Sequence, residues 1–132
     1  MLQGEFFKII SSESLPDDPL APGIEQYMLT VGLNPGHPIY DGHFPGNPVV
    51  PGVCQVQMVR EGLETLKKIK GTLRSSGNIK FLAMIVPSEN PTLTVRYKLK
   101  YPDPENIDFS ATISAGPTTF LKFNGVLCTK PS

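Results

Sequence analysis

Hydrophobic and polar side chains alternate most regularly over residues 91–101. Leu93, Val95, Tyr97, Leu99 and Tyr101 fall on one side, with Thr94, Arg96, Lys98 and Lys100 on the other, which is the period of a half-buried strand. Residues 24–33 alternate less cleanly and are also read as a strand, as are residues 106–114 and 118–128, which Ala115-Gly116-Pro117 separates. Residues 77–86 form a strongly apolar strand, and residues 4–11 a strand or short opening element, followed by a loop over 12–23. The period changes only once. Val56, Val59, Leu63, Leu66 and Ile69 recur at spacings of three and four and predict a helix over 53–70. Pro51 and Gly52 stand at its start, where a missing amide hydrogen costs least, and Lys67, Lys68 and Lys70 at its end, where they complement the helix dipole. Gly62 is a weak point within it.

The helix has an apolar stripe to bury, and the rest of the chain offers strands to receive it. One helix laid across an antiparallel sheet makes the fold class α+β. The 132 residues fit one domain, 1–132, with no repeat, low-complexity tract or linker.

Composition narrows the function classes. The chain is 39% hydrophobic and 18% charged, an ordinary globular balance, and has no apolar run of the roughly 18 residues that a membrane helix needs. The first residues lack the pattern of a signal peptide, so a cytoplasmic protein is expected. Cys54 and Cys128 fit no zinc or redox spacing and are read as reduced thiols, each a small buried hydrophobe. Net charge is zero but unevenly spread: −5 over residues 1–59, +6 over 60–100 and −1 beyond. The middle third is therefore either a docking face for an acidic partner or a set of solvated strand and helix surfaces. Neutral charge, no Trp and no aromatic-basic motif argue against nucleic acid.

Candidate chemistry is concentrated in residues 34–52, whose five prolines and four glycines exclude a regular helix. The run His43-Phe44-Pro45-Gly46-Asn47-Pro48-Val49-Val50-Pro51-Gly52-Val53 places an imidazole on a rigid loop just before a helix start. The first amide hydrogens of a helix have no internal partner and can hold a thioester oxygen as negative charge develops on it. A proton next to a thioester is weakly acidic, and histidine is a base suited to remove it near neutral pH.

This run, with Tyr40-Asp41-Gly42 before it, resembles the signature of bacterial 3-hydroxyacyl-acyl-carrier-protein dehydratases of the FabZ/FabA type. The motif covers about a tenth of the chain, and the order of strands and helix agrees over about residues 24–128. The resemblance implies a hotdog fold, a curled antiparallel sheet wrapped around one long central helix, and dimers that share two active sites. It implies a lyase that removes water from a 3-hydroxyacyl chain carried on the phosphopantetheine of acyl carrier protein, giving a trans-2-enoyl thioester, with no metal and no redox cofactor. By position, His43 would act on the α-carbon proton and the Gly52 amide would polarise the thioester carbonyl. Tyr40, Phe44, Gly46, Pro51, Val53 and Glu61 would make up the substrate-binding surface. Tyr40 and Phe44 line the acyl tunnel on one reading and are ordinary packing on the other. His37 is either a second catalytic group or, the reading preferred here, a turn residue near the mouth.

The chain departs from the family at the acid. The family's helix carboxylate lies fourteen residues after the histidine, and here that position is Gln57, an amide that cannot deliver a proton as an acid does. Glu61 is one turn further on. It is either a substitute acid or a charge on the helix surface. Three functions stay open: a dehydratase in which Gln57 orients the leaving hydroxyl, an acyl thioesterase, or a non-catalytic acyl-carrier-binding subunit of a heterodimer whose partner supplies the acid.

Overall fold

The strand that alternates most clearly sits inside the sheet. The computed structural model describes residues 2–41 and 48–129, and within them six strands form one antiparallel sheet in the order β1-β2-β4-β5-β6-β3. The strands are β1 (Phe7–Ser14), β2 (Glu25–Leu33), β3 (Thr72–Phe81), β4 (Thr92–Asp103), β5 (Asn106–Ala115) and β6 (Thr118–Cys128), with one α-helix, α1 (Gly52–Lys67), between β2 and β3. The inner face of β4 carries Leu93, Val95, Tyr97 and Leu99, all buried, and Val95, Tyr97 and Leu99 stand opposite Ile113, Ala111 and Phe109 of β5. The sheet curls around α1, whose Met58, Val59 and Leu63 are buried in the same core, and this is the expected hotdog arrangement.

At Gly62 the helix packs tightly against the sheet. A Cβ there would collide with the Tyr97 hydroxyl and lie 2.8 Å from Leu29 Cδ1, while that hydroxyl donates to the carbonyl of Val59 at 2.7 Å. The glycine that weakens the isolated helix is thus what lets it dock. Alanine would gain about 1 kcal/mol in helix propensity, but overpacking a closed core costs roughly 1–3 kcal/mol, and here it also threatens a buried hydrogen bond. Gly62→Ala is therefore expected to destabilise the fold, read as a lower urea midpoint.

Three boundaries differ from the sequence reading. The helix stops at Lys67 because Lys68 takes a left-handed conformation, φ 54°, and the amides of Lys68 and Ile69 fold back onto the carbonyls of Thr65 and Glu64 in a Schellman-type ending. Lys70 and Ile69 therefore lie beyond it. Strand β3 begins at Thr72, and the apolar residues 82–86 lie outside it. The amide of Leu82 bonds to Phe120, and the carbonyl of Ile85 receives the amide of Val50, so Ile85 is fully buried near the helix entrance. The opening turn precedes β1, which starts at Phe7 and runs on to Ser14, so residues 12–14, expected as loop, continue the strand because they pair with Leu29, Met28 and Tyr27 of β2.

Tyr101 also leaves the inner face of its strand. Its hydroxyl donates to Glu25 Oε1 at 2.7 Å, where Tyr27 (2.8 Å) and Lys67 (3.1 Å) converge, and the Lys67 ammonium lies over both phenol rings at 5.3 and 5.5 Å. This cluster pins the last turn of α1 to β2 and β4. Cys54 is a buried free thiol, as expected, and Cys128 is half-buried. No helix among the described residues is long and apolar enough to cross a membrane.

Candidate active site

The start of α1 is built by the chain on either side of it. Pro51, buried and extended at φ −60°, ψ 146°, accepts the amides of Cys54 and Gln55 at its carbonyl, 3.0 and 3.1 Å away. The two amides before these, of Gly52 and Val53, have no carbonyl within the helix to bond. A Cβ on Gly52 would lie 2.9 Å from Phe81 Cζ, so the absence of a side chain lets the Phe81 ring close over this end of the helix. Val53 beside it is 79% exposed. Gln55 is buried, donates from Nε2 to the carbonyl of Val50 at 3.2 Å, and leaves its Oε1 without a partner.

The short 3-10 turn Pro38–Asp41 carries Tyr40 inward. Its ring packs 5.8 Å from that of Phe6, which also meets the edge of the His37 ring at 5.4 Å. His37 accepts the amide of Ile39 at Nδ1, 3.1 Å, the turn role expected of it. The buried Tyr40 hydroxyl has no hydrogen-bond partner among the described residues, and burial, with the nearby Cys54 as a lesser cause, pushes its pKa up to about 12. It is therefore a neutral donor at any working pH. Burial likewise raises the Cys54 thiol, which keeps it a packing group rather than a nucleophile. His43, Phe44 and Gly46 lie outside the described residues.

Val53, Gln57 and Glu61 follow one another at four-residue spacing along α1. Neither sequence reading of Glu61 holds, because it is neither a surface charge nor a free acid. It is 2% exposed, and its carboxylate accepts the amide of Leu2 at both oxygens (3.0 and 2.9 Å), the amide of Gln3 (2.8 Å) and Gln57 Nε2 (2.9 Å). Burial alone would raise its pKa, but the amides of Leu2 and Gln3 and the Gln57 carboxamide outweigh that and hold it below the usual glutamate range. A group so lowered stabilises the fold above its unfolded pKa of about 4.3 and loses that contribution as pH falls through the folded value. Wild-type stability should therefore fall between about pH 5 and pH 3 more steeply than that of Glu61→Gln, as urea titrations at each pH would register. At neutral pH the same substitution should cost about 1–3 kcal/mol.

The N-terminal residues 2–6 are the part of the site that the sequence does not reveal. Leu2 and Gln3 reach Glu61 through backbone amides, which have no sequence signature. The only visible cue is the apolar pair Phe6-Phe7, both fully or almost fully buried.

Comparison with known proteins gives the family and the fold. A family model described as ApeI-like, ApeI dehydratase, matches residues 20–120. Among characterised relatives, the 3-hydroxyacyl-[acyl-carrier-protein] dehydratase FabZ of Syntrophomonas wolfei is 32% identical over 85 residues, covering 59% of this chain and 58% of that protein. The chain thus spans somewhat over half the length of that relative. Among solved structures, the dehydratase heterocomplex ApeI:P from Xenorhabdus doucetiae superposes with a TM-score of 0.56 at 22% identity, covering 90% of this chain and 99% of that one. A candidate thioesterase from Lactococcus lactis superposes with a TM-score of 0.65 at 13% identity, covering 93% and 92%.

Proposed function

Since the chain belongs to the ApeI-like dehydratase family, we propose that it acts on a 3-hydroxyacyl thioester carried by acyl carrier protein and removes water to give the trans-2-enoyl thioester. His43 takes the proton from the α-carbon. The electrons of that C–H bond form the double bond, the C–O bond at the β-carbon breaks, and the departing hydroxide leaves as water with a proton from the imidazolium so formed or from an acid on a partner chain. The amide of Gly52 donates to the thioester oxygen while it carries charge. In this reading the neutral Tyr40 hydroxyl is a second donor to the substrate. No metal or redox cofactor enters this scheme.

The observation that carries the reading is the helix entrance: amides of Gly52 and Val53 without a partner among the described residues, roofed by Phe81, and beginning in sequence nine residues after His43. The test is to follow enoyl-thioester formation from 3-hydroxyacyl-carrier protein by absorbance, with free thiol measured in parallel. Enoyl product supports the dehydratase. Thiol release without enoyl product would overturn it in favour of a thioesterase, a reading that Gln57 disfavours because no carboxylate at that position activates water.

A second reading follows from the acid. Gln57 does not titrate and the Glu61 carboxylate is saturated with donors, so nothing on this face of α1 can protonate the leaving hydroxide. A second hotdog chain could supply that proton, and the edge of the sheet offers it a place. β3 is an edge strand, and Phe81 at its end, Leu82 and Met84 just beyond it and Val53 on the helix start expose large apolar side chains. The pairing proposed is edge to edge along β3, with a copy of this chain or with a different chain that bears the acid. Light scattering on the purified chain distinguishes these. A dimer favours self-pairing, while a monomer that dimerises and gains activity only on adding a carboxylate-bearing hotdog subunit favours the heterodimer.

A further inference from the structure

The contact between Gln57 and Glu61 dictates which way the Gln57 carboxamide is turned. An ionised carboxylate only accepts hydrogen bonds, so the atom 2.9 Å from Glu61 Oε2 has to be the amide nitrogen. Glu61 is itself immobilised, because the amides of Leu2 and Gln3 bind both its oxygens and the side chain is buried. Gln57 Oε1 has no hydrogen-bond partner among the described residues, and Gln57 is only half-buried. It stands five residues from Gly52, about 7.5 Å along the helix axis. The stripe therefore presents amide donors at its start and, one turn and a half further on, an oriented carbonyl acceptor.

We propose that Glu61 is a positioning residue: it turns Gln57 so that Oε1 accepts a hydrogen bond from the 3-hydroxyl of the substrate, and the site thereby selects 3-hydroxyacyl over saturated acyl thioesters. This rests on the dehydratase reading above for the class of substrate, but it is a statement about binding and not about turnover. An acceptor at this place holds the hydroxyl in the ground state without being able to protonate it. The N-terminal residues, which precede the stretch matching the family, become part of the specificity apparatus, since their amides keep Glu61 ionised and in place.

The experiment is calorimetric titration of the full chain with two probes, 3-hydroxybutyryl-pantetheine and butyryl-pantetheine. One net hydrogen bond corresponds to a preference of about 3- to 10-fold for the hydroxylated probe in the wild type. Gln57→Leu should abolish the preference by weakening only the hydroxylated probe. Glu61→Gln should reduce it in the same way, because the introduced amide both donates and accepts and no longer dictates the orientation of Gln57. A merely structural role for Glu61 would weaken both probes together. Should Glu61→Gln fail to fold, Gln3→Pro leaves the carboxylate in place, deletes one of its donors and should also lower the preference.

Equal affinity of the wild type for the two probes, no binding of either, or an unchanged preference in the Glu61 and Gln3 variants would overturn the proposal. Dehydration without a preference sinks the positioning role alone. A preference without dehydration sinks the dehydratase reading and leaves the positioning role standing.

Discussion

Replacing His43 with alanine is expected to lower dehydration of a 3-hydroxyacyl-carrier protein by at least about 10²–10⁴-fold, the usual contribution of a positioned base. The proton next to a thioester does not leave unaided at neutral pH. In the run from Tyr40 to Val53 the titratable side chains are Tyr40, Asp41, His43 and Cys54 just beyond it. Burial disqualifies two of these by raising the Tyr40 hydroxyl and the Cys54 thiol, so that neither is ionised when needed. Asp41 is exposed at the end of the 3-10 turn. A histidine titrates near 6.5, which balances being unprotonated against being basic enough. The wild-type rate should accordingly rise with pH as the imidazole loses its proton. His43→Ala should lose that limb while still binding the pantetheine probes, since the amides of Gly52 and Val53 remain. A variant that turns over as fast as the wild type would remove His43 from the mechanism.

The parts of the fold that could be read from the sequence share a physical cause. β4, β5 and β6 follow a local rule: one face of each strand meets the core and the other meets solvent, so the burial of Val95, Tyr97, Ile113 and Phe123 is written in their own alternation. The start of α1 is legible for a similar reason, since Pro51 is compatible with only a few backbone states and Gly52 follows it directly.

What was misread depends on distant chain. Residues 82–86 are apolar because they cover the helix entrance, and an apolar run buried by a loop carries the same signal as a buried strand. The helix end was hidden because a lysine, not the customary glycine, takes the left-handed position at residue 68. Tyr101 keeps the period of β4 but is drawn away by Glu25 and Lys67, which are far from it in sequence.

The candidate site divides along the same line. The run from His43 to Val53 is legible as a motif, and α1 begins at Pro51 and Gly52 as the sequence predicts. Glu61 was misread because helix geometry gives its angle relative to Gln57 but not what lies over it. Its cover comes from residues 58 and 59 positions away, through amides that any residue but proline provides. Gln57 was correctly singled out as the departure from the family, but its orientation depends on that same hidden contact.

Restoring a carboxylic acid at this position, Gln57→Glu, is expected to raise the dehydration rate by about 10²–10⁴-fold at neutral pH, and the reason lies in the neighbour. An ordinary glutamate would be ionised at pH 7 and useless as an acid. Here the new carboxyl would replace an amide 2.9 Å from Glu61 Oε2, and two carboxylates at that distance cannot both ionise without penalty. Glu61 keeps its charge because Leu2 and Gln3 donate to it, so the proton resides on the introduced group, whose pKa is pushed up. That is the state a general acid needs.

Stability gives an independent check on the same shift. A carboxyl whose folded pKa exceeds its unfolded value of about 4.3 favours the fold below that value and loses the contribution as pH rises through the folded one. Gln57→Glu should therefore be least stable relative to the wild type at alkaline pH. Adding Glu61→Gln to it removes the neighbouring charge, which should return the introduced acid towards its ordinary pKa and forfeit most of the rate gain at pH 7. A fast double variant would show that the gain does not depend on Glu61, and an inactive Gln57→Glu would move the source of the proton to a second chain.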